Sequence, residues 1–213
     1  IAFPLPFLVI SEMLGMPQED SEIVREWSHA IVKTLDPIMS EEEVHTAITS
    51  SDLMVEYVRE RIAEKRTNPD GLLLSRLITA EDDGDMLDEQ ELLDQIILLY
   101  IAGHETTVNL IGNSINALLK FPDQLSLWNK TPSVTTRAID ELLRFDGPVQ
   151  QTVRGPIVPV TYQTLNGPLV VEPGTIVTTL LGAGNHDPAM FDDPNTLRLD
   201  RTNSNRQYMG YCL

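Results

Sequence analysis

The chain has 213 residues, 42% of them apolar, with 15 basic side chains against 32 acidic ones and a formal net charge of −17. That length suits one domain, or one and a half, and allows a substantial core. The acidity excludes nucleic acid as a partner, since phosphate binding needs clustered lysine and arginine, and no apolar run is long enough to span a membrane.

The opening Ile1-Ala2-Phe3-Pro4-Leu5-Pro6 lacks the basic start of a signal peptide. Residues 1–16 read as the tail of a helix with Phe7, Ile10, Met13 and Leu14 facing inward, closed by Gly15 and Pro17. An apolar start with no polar lead-in suggests a chain that begins mid-structure. A second helix is predicted from about Glu19 to Leu35, and Pro37 then turns the chain. Ser40 with Glu43 forms a capping-box pattern, opening a helix that runs to about Arg66. Asn68-Pro69-Asp70-Gly71 is a turn signal, residues 72–80 a short helix, and residues 81–85 an acidic loop.

The next stretch, Asp88 to Lys120, reads as one long helix roughly 50 Å in length. Asp88 and Glu91 supply a second capping box, and Phe121-Pro122 ends it. Leu93, Ile97, Ile101, Val108, Ile111, Ile115 and Leu118 recur at helical spacing, which predicts central burial. At its middle, Ala102-Gly103-His104-Glu105-Thr106-Thr107 interrupts the apolar pattern. Glycine there costs about 1 kcal/mol relative to alanine, and a buried acid or hydroxyl needs a partner. Gly103 can admit a flat body to the backbone where the Thr106 hydroxyl bonds back to the Ala102 carbonyl, giving a kink or groove. Alternatively the helix packs tightly on a neighbour through Gly103 and leaves Glu105 at a solvated edge.

A short helix follows Pro122, and Thr131-Pro132 opens another that runs to about Phe145, on which Glu141 and Arg144 share a face. Beyond Asp146-Gly147-Pro148 the text turns β-like at 157–162, 169–171 and 175–181, with turns at Asn166-Gly167 and Pro173-Gly174. The fold class is therefore mainly α with a small antiparallel β region. One domain is expected over 1–213: helical to 147, a β region over 148–181, and a turn-rich loop from 182. Cys212, the single cysteine, closes no internal disulfide, which favours a cytoplasmic protein. Its sulfur is a buried small side chain, a free thiol or a metal ligand. His29, His45, His104 and His186 show no ligand spacing to one another and read as surface or packing residues.

Taken together, 102–107, Glu141-Leu142-Leu143-Arg144, Phe145 to Gln150 with Arg154, the Asp-Pro turns at 185–194 and the terminal cysteine follow one another in an order that resembles a bacterial cytochrome P-450. The resemblance covers most of the chain and corresponds to that family's C-terminal part. It implies a haem-thiolate monooxygenase with haem b and its iron as cofactor, a small organic substrate, and an external NAD(P)H-linked donor of ferredoxin or flavodoxin type. It assigns Ala102 and Gly103 to the haem approach, Glu105 and Thr106 to proton delivery, Arg154 to a propionate, Cys212 to the iron, and Glu141 and Arg144 to a structural brace. Three features depart from the family pattern. Its N-terminal helices do not precede Ile1; the arginine expected after the Asp-Pro loop is replaced by Thr196, with Arg198 two residues off; and Asn205 to Leu213 lacks the phenylalanine, first glycine and histidine that normally precede the cysteine. The competing reading is a catalytically inert scaffold that keeps the helices as a binding module.

Overall fold

Helix starts form where the side chains can satisfy free backbone donors. At Ser40 the Glu43 amide donates to the serine Oγ at 3.2 Å and the Ser40 amide donates to Glu43 Oε2 at 2.9 Å, the reciprocal pair that opens α3 (Glu41–Thr67). Asp88 and Glu91 repeat this at the head of α5 (Glu89–Lys120), with bonds of 2.8 and 2.9 Å. The Thr131 side chain caps nothing. Pro132 instead opens a 3-10 turn, Pro132–Val134, and α7 (Thr135–Asp146) begins one residue beyond it. The remaining helices are α1 (Pro4–Leu14), α2 (Ser21–Val32), continued by a 3-10 turn to Leu35, α4 (Leu73–Asp82), α6 (Pro122–Lys130) and α8 (Leu181–Asn185).

This computed structural model describes residues 2–36, 38–82 and 88–202. Cys212, most of the acidic loop and the cysteine loop at 205–213 lie outside them. The chain divides into two compact units, residues 1–109 and 110–213, with α5 contributing to both. In the first unit, Phe7, Ile10 and Leu14 of α1, Met54, Val58 and Ile62 of α3, and Leu92, Ile96 and Tyr100 of α5 form the core. Met13, expected inside, is 52% exposed. Gly15 ends α1 in the left-handed region at φ 74°, where its amide and that of Met16 close on the carbonyls of Glu12 and Ser11.

The second unit packs Ala117 and Leu118 with Ala138, Leu142, Leu197 and Leu199. Its β region is two nested two-stranded sheets. The inner hairpin pairs β2 (Val160–Thr164) with β3 (Gly167–Val171) around Leu165-Asn166, and Gly167 takes φ 104°. The outer pair joins β1 (Gln151–Arg154) to β4 (Val177–Leu180), with Arg154 opposite Val177. The strand at Gln151 is absent from the sequence expectation, because its polar residues show no apolar alternation. The expected start at Ile157 fails for the opposite reason. Pro156 and Pro159 flank that apolar pair without an amide to offer, and Ile157 is 92% exposed.

Candidate functional site

In the first unit the residues of interest lie on α5, and the buried face decides how they point. Leu92, Leu93, Ile96, Tyr100 and His104 are buried; of the stripe read from periodicity, Leu93 and Leu118 are buried, whereas Ile97, Ile101, Val108 and Ile111 are only partly covered and Ile115 is exposed. The middle of the helix is correspondingly less enclosed than central burial requires. Ala102, Gly103 and Thr107 are exposed, and Thr106 is half-buried.

The hydroxyl of Thr106 donates to the Ala102 carbonyl at 2.9 Å, and that of Thr107 to the Gly103 carbonyl at 3.2 Å. Helix α5 nonetheless runs through this stretch without interruption. A Cβ placed on Gly103 would stand 3.1 Å from Ile10 of α1, so tight helix packing accounts for the missing side chain on that flank. The approach left to a flat body is over Ala102 and the exposed backbone of Gly103.

His104 is fully buried, with its ring edge-on to Phe3 and Phe7. Its Nδ1 lies 2.9 Å from the Tyr100 carbonyl, and its Nε2 has no hydrogen-bond partner among the described residues. Glu105, 20% exposed, sets Oε2 at 3.8 Å from that Nε2 and Oε1 at 4.0 Å from His29 Nδ1 on α2. A groove of about 350 Å³ opens beside Glu105, lined by Phe3, Arg25, Glu26, His29 and Val108. One turn earlier, burial pushes the Tyr100 phenol up to about 12, and its hydroxyl meets Ser11 Oγ at 3.1 Å. Tyr100 therefore stays neutral at physiological pH. Burial likewise raises Tyr57, which donates to Asp20 at 2.9 Å.

In the second unit Glu141 and Arg144 are both fully buried and meet through two parallel bonds of 2.8 and 2.9 Å. The pair is not the exposed helix pair that three-residue spacing alone would make it. Arg201 Nε donates to both Glu141 oxygens, at 3.1 and 3.0 Å, and the Arg198 amide donates to Oε1 at 3.0 Å. The second guanidinium on Glu141 comes from Arg201, not from the Arg198 position marked in the sequence. That guanidinium also donates to the carbonyls of Asp192, Asp193 and Thr196, while Arg144 donates to those of Asn185 and Pro194. One carboxylate and two arginines thus pin the segment from α8 to Arg201 against α7. Sequence reasoning missed Arg201 because it stands 60 residues from Glu141, with no local pattern to mark it.

His186 bridges Asn195 Oδ1 at 2.9 Å and the Phe145 carbonyl at 3.0 Å, a loop-fastening role. Arg154 stands exposed on β1, with one N–H on the Val153 carbonyl. No cluster of three or more metal-ligating side chains occurs among the described residues, and none of their helices is long and apolar enough to cross a membrane.

A buried Glu-x-x-Arg brace closed by a second arginine, in a mainly helical chain with small antiparallel sheets, delimits one class of protein. Comparison with known proteins identifies it. The chain is 39% identical over 211 residues to cytochrome P-450 107B1 of Saccharopolyspora erythraea, covering 99% of this chain and 49% of that relative. It is 37% identical over 213 residues to the cytochrome P-450 monooxygenase PikC of Streptomyces venezuelae, again covering 99% and 49%. Among solved structures, the econazole-bound CYP164A2 of Mycobacterium smegmatis superposes with a TM-score of 0.88 at 33% identity, over 95% of this chain and 51% of that one. No family model matches the chain. The chain belongs to the cytochrome P-450 family, and it spans about half the length of the curated relatives it matches.

Proposed function

We propose that the protein is a haem-thiolate monooxygenase that inserts one oxygen atom from O2 into a small organic substrate. Electrons would come from an external NAD(P)H-linked donor of ferredoxin or flavodoxin type, in the cytoplasm. The observation that carries the reading is the acid and hydroxyl side by side on α5: Glu105 next to a Thr106 whose proton is parked on the Ala102 carbonyl at 2.9 Å. Family membership supports the same assignment.

The residues present fit a planar cofactor. Ala102 and Gly103 put nothing larger than a methyl group on an exposed part of α5, and Arg154 offers an exposed guanidinium suited to a carboxylate. Ala102 and Gly103 would admit the haem plane, Arg154 would pair with a propionate, and the Cys212 sulfur would ligate the iron. When bound, haem supplies oxygen activation, favoured by a thiolate that pushes electron density onto iron.

The chain's own part is proton handling. With its proton directed at Ala102, the Thr106 oxygen keeps its lone pairs for accepting, and a rotation about Cβ–Oγ would turn the proton outward. Glu105, partly solvated, would then replenish that proton from the groove beside it. Glu141 and Arg144, with Arg201, would keep the segment before the cysteine in place.

Thr106→Ala tests the assignment. Haem content should be unchanged while product formed per O2 consumed falls by roughly tenfold or more, as expected when a positioned proton donor is lost. Unchanged coupling would remove Thr106 from proton delivery.

A further inference from the structure

Two phenols of the first unit take no part in the proposed chemistry, and their hydroxyls meet very different partners. Tyr57 of α3 donates to Asp20 Oδ2 at 2.9 Å. Asp20 stands at the N-cap of α2 yet its side chain bonds none of that helix's amides, and the residue is only partly covered. Tyr100 of α5 is fully buried, and its hydroxyl meets that of Ser11, also fully buried, at 3.1 Å. Burial holds both phenols protonated, and each lies within electrostatic reach of the other and of Asp20. The Trp27 indole of α2 packs edge-to-face on the Tyr57 ring, with 5.9 Å between centroids. Tyr57 and Trp27 are both partly exposed, so three oxidisable rings lead from the buried face of α5 towards the surface.

An oxidised phenol is a strong acid, so a protonated tyrosine loses an electron readily only where a base takes its proton in the same event. A carboxylate is such a base, and a serine hydroxyl is not. We propose that Tyr57 is a one-electron oxidation site, with Asp20 as its proton acceptor and Trp27 as its outlet to the surface. The oxidant is the one that the monooxygenase reading supplies, on which the inference rests: haem iron turned over by O2 with no substrate in place. The inner end of the aromatic chain, Tyr100, stands two residues before Ala102 on α5. Tyr57 gives up one electron towards α5 as its O–H bond breaks and the proton passes to Asp20 Oδ2. Trp27 then supplies an electron, and the proton returns from Asp20 to the phenolic oxygen. A thiol in solution reduces the indole, losing one electron and releasing its proton to water, so Tyr57, Asp20 and Trp27 end as they began. Arg61, 5.6 Å from the Tyr57 centroid, does not oppose this, because Glu64 pairs with it at 2.9 Å. The chain of rings thereby draws an oxidising equivalent away from α5 when it has no substrate to act on.

The test needs no haem. The chain has five tyrosines, and with Tyr162, Tyr208 and Tyr211 replaced by phenylalanine only Tyr57 and Tyr100 remain. In that background the full 213-residue chain is illuminated with ruthenium tris-bipyridyl and persulfate, frozen, and read by electron paramagnetic resonance, ring-deuterated tyrosine marking a tyrosyl signal by its narrowing. A tyrosyl signal should appear, survive Tyr100→Phe and disappear in Tyr57→Phe. Asp20→Asn, whose amide oxygen accepts the bond but takes up no proton, should leave an indole signal in its place, one that Trp27→Phe removes. Asp20→Glu should restore the tyrosyl signal. No tyrosyl signal at all, one that persists in Tyr57→Phe, or one as strong in Asp20→Asn as with Asp20 in place would overturn the proposal. A failure of the monooxygenase reading would instead appear in haem uptake and oxygen coupling and leave these signals as they are.

Discussion

Glu141 answers to two guanidiniums at once, and both are buried with it. Desolvating three charges is costly, and the arrangement persists because two-pronged geometry and backbone carbonyls satisfy nearly every donor. Glu141→Gln keeps the shape and removes the carboxylate that both guanidiniums meet. It should cost about 3–5 kcal/mol in urea unfolding, and a loss below about 1 kcal/mol would show that the carbonyls alone hold the arginines. Half of this cluster was readable in advance: a three-residue spacing on a helix puts Glu141 and Arg144 together. Burial and the long-range arginine were not, because spacing describes one helix and says nothing about what folds onto it. His104 illustrates the same limit, since its place on a mostly apolar helix could not reveal that its ring is sealed or which nitrogen the Tyr100 carbonyl engages.

Among the elements, those with local chemical punctuation were the most legible. The capping boxes at Ser40 and Asp88, the glycine stop at Gly15 and the Asn166-Gly167 hairpin all formed where short-range donors and backbone conformations dictate. Tertiary packing decided the rest: the buried face of α5 keeps Leu93 and Leu118 of its periodic reading but takes Ile96, Tyr100 and His104 in place of Ile97, Ile101 and Val108, Met13 faces outward, and β1 exists because β4 pairs with it. The junction between α3 and α4 carries a testable electrostatic device. Asp70 accepts from Lys65 at 2.6 Å, and also from the Leu72 amide and the Ser75 hydroxyl. The lysine contact chiefly, aided by those bonds, lowers its carboxyl from 3.8 to about 2. A depressed carboxyl stabilises the fold above its unfolded value, and that contribution disappears as pH falls from about 4 through about 2. Because Asp70 is exposed at the surface, Asp70→Asn should cost at most about 1 kcal/mol at pH 7. The gap between variant and wild type should close by about pH 2. A gap that persists there would place the effect outside the ionised form.

At the scale of the whole molecule, the chain is a stretch of cytochrome P-450 about half as long as its relatives, and the two units differ in what they hold. The first contains the helical acid and hydroxyl; the second contains the brace and the nested sheets. Family membership was legible because its motifs are short, chemically odd and ordered along the chain. The proposed ligand was less so, since Cys212 sits in a segment without the first glycine and histidine of the family pattern. Ligation of haem iron by Cys212 is the step on which the proposed function turns. The most direct measurement is the visible spectrum of the purified chain after haem reconstitution, reduced under carbon monoxide, for the wild type and Cys212→Ala. The account requires a long-wavelength Soret band of the thiolate type in the wild type and its loss in the variant. A wild type that takes up no haem, or a variant that keeps the thiolate band, would contradict it.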